Sequence, residues 1–298
     1  MLTVAVFSYN RGEFLRNCVR SVQRNLPGAV IRVYDDNSDD PATKAVLADL
    51  GVSVITPESS DARRLGGLYS NMQTALMAAE TPWILFLQED MQMVRPVGEA
   101  DLAAIAALFA EDQRRAFVGP VFFKAISMKR HHRQCVPQET PRCYRLRDGA
   151  SPAEQAKRIA YFDVCIGHVA QLRAAGWQFG DSERGNVQQA RRLFSDMPTL
   201  GEPFIFYLPE VPVFRNRRKS LAARIAARLT GPGVKAFRDM TAAEVARFAT
   251  RPLSQWPVAE DFLTPCDPTV RRPFVYRDVK RTWWLALLHR AESWVRRR

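Results

Sequence analysis

The chain has 298 residues, 47% hydrophobic and 25% charged, a composition that supports a sizeable core and excludes disorder as its organising principle. Lys and Arg total 43 against 31 Asp and Glu; the net charge of +12 gathers at residues 215–219 and 271–298 and favours anionic partners, from phosphates to an anionic membrane surface. The five cysteines (18, 135, 143, 165, 266) are odd in number and irregularly spaced, which points to reduced thiols in a cytoplasmic protein, and no apolar run approaches the roughly 20 residues of a membrane span.

Strand and helix signals alternate through the first half. Residues 2–7 form a short apolar run, read as a buried strand rather than as a signal peptide. Asn10 is expected to cap the next helix, with Glu13 completing a capping box and Phe14, Leu15, Cys18, Val19 and Val22 on one face. Pro27-Gly28 ends that helix. A strand over 29–34, a helix opening at Asp40-Pro41, a strand over 52–55, a helix over 68–79 and a fully apolar strand over 83–87 follow. A helix over 102–110 and a strand over 116–122 extend the pattern.

Beyond Lys124 the periodicity loosens. Residues 124–150 are basic and punctuated by proline, so a long loop is expected. Further helices are expected from Ser151-Pro152, over 168–175 (stopped by Gly176), over 183–194, over 242–249 and over 279–295, with a strand over 204–208 and a break at Gly231-Pro232-Gly233. Alternation of this kind predicts an α/β fold with a mostly parallel sheet covered on both faces. Ligands in such folds sit beyond the C-terminal ends of the strands.

The strand ends carry no GxGxxG and no GxxxxGK[ST], which argues against a dinucleotide oxidoreductase and a P-loop NTPase. The first strand ends in Ser8-Tyr9-Asn10-Arg11, an aromatic and an amide suited to a base; packing and capping are the competing reading. The second ends in Asp35-Asp36-Asn37-Ser38, carboxylates suited to base N–H or ribose hydroxyl groups, although ordinary turn chemistry yields the same residues. The fully apolar strand ends in Gln88-Glu89-Asp90, where paired carboxylates suit a hard divalent cation.

Taken together, VAVFSYNRGEFLRNCVRSV, VYDDNSDD, the Asn71 to Ala75 helix and FLQEDMQ resemble, in order, the opening of family-2 glycosyltransferases. The resemblance covers about residues 3–95, weakens over 160–215 and is absent beyond 220. It implies a GT-A-like fold and a nucleotide-diphosphate sugar donor, UDP-linked in most of the family. By this resemblance Ser8, Tyr9, Asn10, Arg11, Asp35, Asp36, Asn71 and Glu89 bind the nucleotide sugar, Tyr9 stacking on the base. Arg63 or Arg64 meets the diphosphate, and Asp90 holds Mn2+ or Mg2+ across it. Gln88 departs from the pattern, standing where the family often has its first aspartate. An inverting transferase also needs a base for the acceptor hydroxyl. The equivalent stretch, GWQFGDSERGNVQQARR, has Glu183 as first candidate and Asp181 as second, in place of the family's Glu-Asp pair.

His131, His132, Cys135 and Cys143 fit no common zinc spacing, and their basic stretch is expected to face the acceptor. The reading divides the chain into a catalytic domain over 1–215 (donor side 1–95, acceptor side 96–215) and a basic helical C-terminal extension over 216–298. In that extension Trp283, Trp284, Leu287, Leu288 and Ala291 share a helical face among cations, the composition of a helix lying peripherally on anionic lipid; docking on the catalytic domain is the competing reading. The expected acceptor is a glycan or a lipid-linked glycan, in surface polysaccharide or glycolipid assembly. No nucleic-acid motif accompanies the charge. A non-catalytic nucleotide-sugar-binding protein on the same fold is the alternative.

Overall fold

The computed structural model describes residues 2–56, 67–147, 160–209, 211, 220–230, 233–275 and 282–295. Arg63, Arg64, the helix expected from Ser151 and the Gly231-Pro232 part of the expected break lie outside them.

The core is a six-stranded sheet in the order β3-β2-β1-β4-β9-β6. Leu2–Ser8 (β1), Val30–Asp35 (β2), Ser53–Ile55 (β3) and Trp83–Gln88 (β4) run parallel. Cys165–His168 (β9) lies antiparallel between β4 and Phe117–Val118 (β6). Every residue of β1 is buried, as expected for a central strand covered on both faces.

Side chains alternate across the sheet. Val4, Val6, Leu85, Leu87 and Ile166 meet Gly12–Asn25 (α1), Pro41–Asp49 (α2) and Glu99–Glu111 (α4) in one core. Ala5, Phe7, Tyr34, Phe86 and Cys165 face the other way, under Gly67–Ala78 (α3), Val169–Ala174 (α6) and Glu183–Leu193 (α7). Asp40 caps α2 as expected, its carboxylate accepting from Thr43 N at 2.9 Å with Pro41 in the first turn. Gly176, at φ +62, stops α6.

Three expectations are corrected. Asn10 does not cap α1: the cap position is Arg11, without a side-chain capping bond. Asn10 stands in the left-handed region (φ 53) and spends its amide on the neighbouring loop. The described part of the expected long loop over 124–150 has regular structure: a 3-10 turn at Ala125–Ser127, a helix at Met128–Gln134 (α5), and a hairpin of Cys135–Glu139 (β7) and Arg142–Leu146 (β8), which pairs with Thr199–Leu200 (β10). The strand expected over 116–122 is regular only at β6; Gly119, Val121 and Phe123 make isolated bridges instead.

Met91–Met93 (β5) pairs with Ile205–Tyr207 (β11) directly after the end of β4. Residues beyond 233 close this side of the molecule. Gln92 donates to Phe237 O at 2.7 Å and accepts from Phe237 N at 2.9 Å. Phe237, Phe248 on Ala242–Thr250 (α9), Ala259 on Ala259–Phe262 (α10), and Phe274 join the first core.

Leu221–Thr230 (α8) and Trp283–Val295 (α11) pack on each other through Ala222, Ala226 and Leu285. Glu292 accepts from Leu221 N at 2.6 Å and Ala222 N at 3.2 Å, placing a carboxylate at the N-terminus of α8. Leu285 and Leu288 face α8, whereas Trp283 (75% exposed), Leu287 (54%) and Trp294 (58%) point to solvent. Among the described residues no helix is long and apolar enough to cross a membrane.

Candidate active site

The C-terminal edge of the sheet assembles residues from three strands. Backbone bonds extend the ladders past the regular strands: Asp36 N donates to Ser8 O at 2.9 Å and Glu89 N to Phe7 O at 3.0 Å. Ser8–Arg11, Asp35–Asp36 and Gln88–Asp90 therefore stand side by side, as the sequence pattern implies.

The β1 and β2 ends are laced together. Asp35 is buried and accepts from Ser38 N at 2.7 Å and Ser38 Oγ at 2.6 Å. Ser38 Oγ in turn accepts from Asn10 N at 2.9 Å. The Asn10 side chain donates to Asp39 Oδ1 at 2.6 Å and accepts from the N–H groups of Asp39 and Asp40 at 2.9 and 3.0 Å. At Asp35 and Asn10 turn chemistry thus consumes most of the hydrogen-bonding capacity. Asp36 is different. It is half-buried and lies against the Gly67 backbone, where an added Cβ would fall 1.9 Å from the carboxyl carbon. Burial, and then the neighbouring Asp35 charge, raise its pKa above the usual carboxylate value.

At the β4 end Arg11 Nη1 lies 3.1 Å from Asp90 Oδ2 and 3.3 Å from Glu89 Oε1; the three side chains are 15%, 9% and 12% exposed respectively. Among the described residues, neither the buried Asp90 Oδ1 nor the buried Ser8 Oγ has a hydrogen-bond partner. Unsatisfied buried acceptors are rare in folded proteins and call for an explanation. Cys18 Sγ lies 3.7 Å from Gln88 O behind the pair, its thiol pushed up by burial and then by the charges of Glu89 and Asp90. Leu208 N donates to Asp90 O at 2.8 Å, and Lys124 Nζ stands 3.7 Å above the Tyr207 ring, so a cation–π pair sits on the strand beside the acid pair.

Tyr9 is half-buried at the β1 end, and Asn71 is buried on α3. Asp181 and Glu183 are exposed at the start of α7, where Ser182 accepts from Gly185 N and caps the helix. Among the described residues the hollow beside Glu183 is lined by Glu183, Arg184, Val187, Gln188 and Arg191 of α7, and neither Glu89 nor Asp90 is among them. One carboxylate not anticipated from sequence stands at the same edge: Asp163, which accepts from Tyr69 Oη at 3.0 Å just before β9.

Among the described residues no group of three or more His, Cys, Asp or Glu gathers as a metal site. A donor-bound cation needs fewer protein ligands, because diphosphate oxygens supply much of its shell. The buried, unpartnered Asp90 Oδ1, with Glu89 beside it, fits that role. His131 packs edge-on against Phe123 and its pKa falls to about 4 through burial, while His132 stacks on Trp256. Cys135 and Cys143 are buried, their thiols pushed up to about 11 and about 12 by burial.

Fold and edge together define an α/β domain that holds its ligand at the carboxyl end of a parallel sheet. More particularly, residues 3–147 match the model described as Glycosyl transferase family 2. No curated protein matches the sequence. Similar solved structures include TarS of S. aureus (17% identity, TM-score 0.47, covering 69% of this chain and 36% of TarS). A mycobacterial protein is 15% identical with a TM-score of 0.47, covering 87% of this chain and 84% of that one. GalNAc-T7, solved with UDP, GalNAc and Mn2+, is 14% identical with a TM-score of 0.46, covering 70% of this chain and 43% of its own. The chain thus spans about a third of TarS.

Proposed function

We propose that the protein transfers a sugar, with inversion, from a nucleotide-diphosphate donor, UDP-linked, to a glycan or lipid-linked acceptor in surface polysaccharide or glycolipid assembly. The observation that carries this is the pair of unsatisfied buried oxygens, Ser8 Oγ and Asp90 Oδ1, at the ligand edge of a domain that matches the family-2 model. In this reading Tyr9 and Asp36 take the base and ribose, Arg11 and Arg63 or Arg64 meet the diphosphate, and Glu89 supports the sugar or ribose. Asp90 Oδ1 would hold Mn2+ or Mg2+, which when bound neutralises charge on the leaving diphosphate. Glu183, with Asp181 second, accepts the proton of the attacking hydroxyl.

The exposed tryptophans favour a peripheral membrane setting for a lipid-linked acceptor. Trp283, Trp284, Leu287 and Trp294 are exposed on α11, with Arg224 and Arg228 exposed on α8 and Arg290 on α11, which supports this reading; docking of the face on the catalytic domain is the competing one. The division at residue 215 then separates the donor site from the α8–α11 helix pair, while Phe237, Phe248 and Phe274 pack with the first core.

Gln88 in place of the expected aspartate favours the alternative of a binding protein without turnover. A thermal-shift panel of nucleotide sugars with and without Mn2+, followed by donor hydrolysis, tests the reading. Metal-dependent stabilisation and sugar release support it. Stabilisation with no release supports the alternative, and no stabilisation by any nucleotide removes both.

A further inference from the structure

The ligand edge extends one strand further than the sequence pattern reaches. Because β9 runs antiparallel to β4, its beginning lies at the end of β4. The ladder ends at the pair Phe86↔Cys165, and Gln88 and Asp163 each lie two residues beyond it on the same side. Along the edge the order is therefore Asp36, then Ser8–Arg11, then Gln88–Asp90, then Asp163. At about 4.8 Å per strand, Asp36 and Asp163 are roughly 14 Å apart.

Three residues of this row, Asp36, Gln88 and Asp163, can be placed by face. Tyr34, Phe86 and Cys165 point into the core beneath α3, and Asp36, Gln88 and Asp163 lie two residues beyond each. Two contacts with the first turn of α3 fix the ends of this row: Gly67 lies against the Asp36 carboxyl, and Tyr69 Oη donates to Asp163 Oδ2 at 3.0 Å. Tyr161, fully buried below, has its pKa raised first by burial and then by the charge of Asp163, in keeping with a carboxylate held close above it.

An extended nucleotide sugar laid along this edge with its base at Asp36 and its diphosphate at Arg11 and Asp90 places its sugar at the β9 end. We propose that Asp163, oriented by Tyr69, is the carboxylate that accepts hydrogen bonds from hydroxyls of the transferred sugar, so that donor-sugar selection is set at this position. The inference rests on the proposed transferase function. Asp163 is a binding residue here, and Tyr69 a positioning residue.

The test compares UDP alone with UDP-glucose, UDP-galactose and UDP-N-acetylglucosamine, by calorimetry in the presence of Mn2+, on the full chain. With Asp163→Asn, the best wild-type UDP-sugar is expected to bind at least about tenfold more weakly, the usual scale for a lost charge-assisted hydrogen bond. UDP itself is expected to bind within about twofold of wild type. Tyr69→Phe, which keeps the ring and removes one hydroxyl, shifts the same UDP-sugar in the same direction by a smaller factor and serves if Asp163→Asn does not fold. Unchanged UDP-sugar binding in both variants, or equal losses for UDP and UDP-sugar, overturns the assignment. If wild-type protein binds no member of the panel and no UDP, the transferase reading fails first and this inference with it.

Discussion

Arg11 Nη1 stands 3.1 Å from Asp90 Oδ2 and 3.3 Å from Glu89 Oε1, and among the described residues Asp90 Oδ1 has no hydrogen-bond partner. An ion pair this sheltered is costly to break when it strands a charge, on the order of 3 kcal/mol. Here removal of Asp90 leaves Arg11 with Glu89. Asp90→Ala is therefore expected to keep a cooperative melt within a few degrees of wild type while transfer falls by at least about 10²-fold. Near-normal turnover of Asp90→Ala in EDTA would remove the metal assignment.

Gly67→Ala separates binding from folding. The new Cβ collides with the Asp36 carboxyl, the free end of a short side chain that is able to swing away. Stability is expected to change by less than about 1 kcal/mol, while nucleotide affinity drops as Asp36 leaves its position. Wild-type affinity for UDP in this variant would mean that Asp36 does not meet the nucleotide.

Asp36 also sets a pH dependence. Its pKa is raised in the folded protein, so it protonates at a higher pH than an ordinary carboxylate as pH falls. Binding that needs the ionised form should weaken from above the usual carboxylate range, and Asp36→Asn should flatten that limb of a UDP titration. The stability effect has the opposite sense. Holding the ionised group costs stability once pH rises through the folded pKa, so Asp36→Asn should melt higher at neutral pH and lose that advantage in acid. A wild-type titration that begins only at ordinary carboxylate pH contradicts the assignment.

The parts of this site legible in the sequence are those whose strands announce themselves. The unbroken apolar run before Gln88 marks a central strand, and Glu89 and Asp90 follow as its edge. Asn10 was legible as a residue with a special task, but its partners, Asp39 and Asp40, come from another loop, and helix-cap spacing cannot see across strands. The hairpin at 135–146 stayed hidden because only Cys135, Cys143 and Tyr144 along it are buried, too few for an alternating pattern. Cys165–His168 is four residues with a glycine and a histidine, below the length at which periodicity means anything. Asp163 acquires meaning only from the register of that strand.

Glu183→Gln keeps size and hydrogen bonding but cannot accept a proton. If Glu183 is the base, kcat falls by about 10² to 10⁴ with UDP-sugar affinity unchanged. Its exposure, and a hollow whose described lining residues all belong to α7, make this a decisive measurement: normal kcat moves the role to Asp181 or to another carboxylate.

Membrane contact is best tested on the outer face of α11. Truncation after Phe274 would strip Leu285 from Ala222 and Ala226 and expose new apolar surface, whereas Trp283 and Leu287 already face solvent. Trp283→Glu with Leu287→Glu is expected to leave the melt unchanged and to abolish salt-sensitive co-sedimentation with anionic vesicles. Equal sedimentation of both proteins, or none by wild type, ends the idea.

The position of β9 between β4 and β6 also has a consequence at the ribosome. The first four strands to emerge, β1 to β4, can pair as they are made, but β4 then presents a bare outer edge. β6 cannot cover it, because its neighbour in the finished sheet is β9. Until Cys165–His168 has been synthesised, the nascent chain carries an apolar, unpaired strand edge of the kind that recruits other chains. Pausing or truncation within that interval should produce aggregates, and a chaperone bound there should be released once β9 has left the exit tunnel.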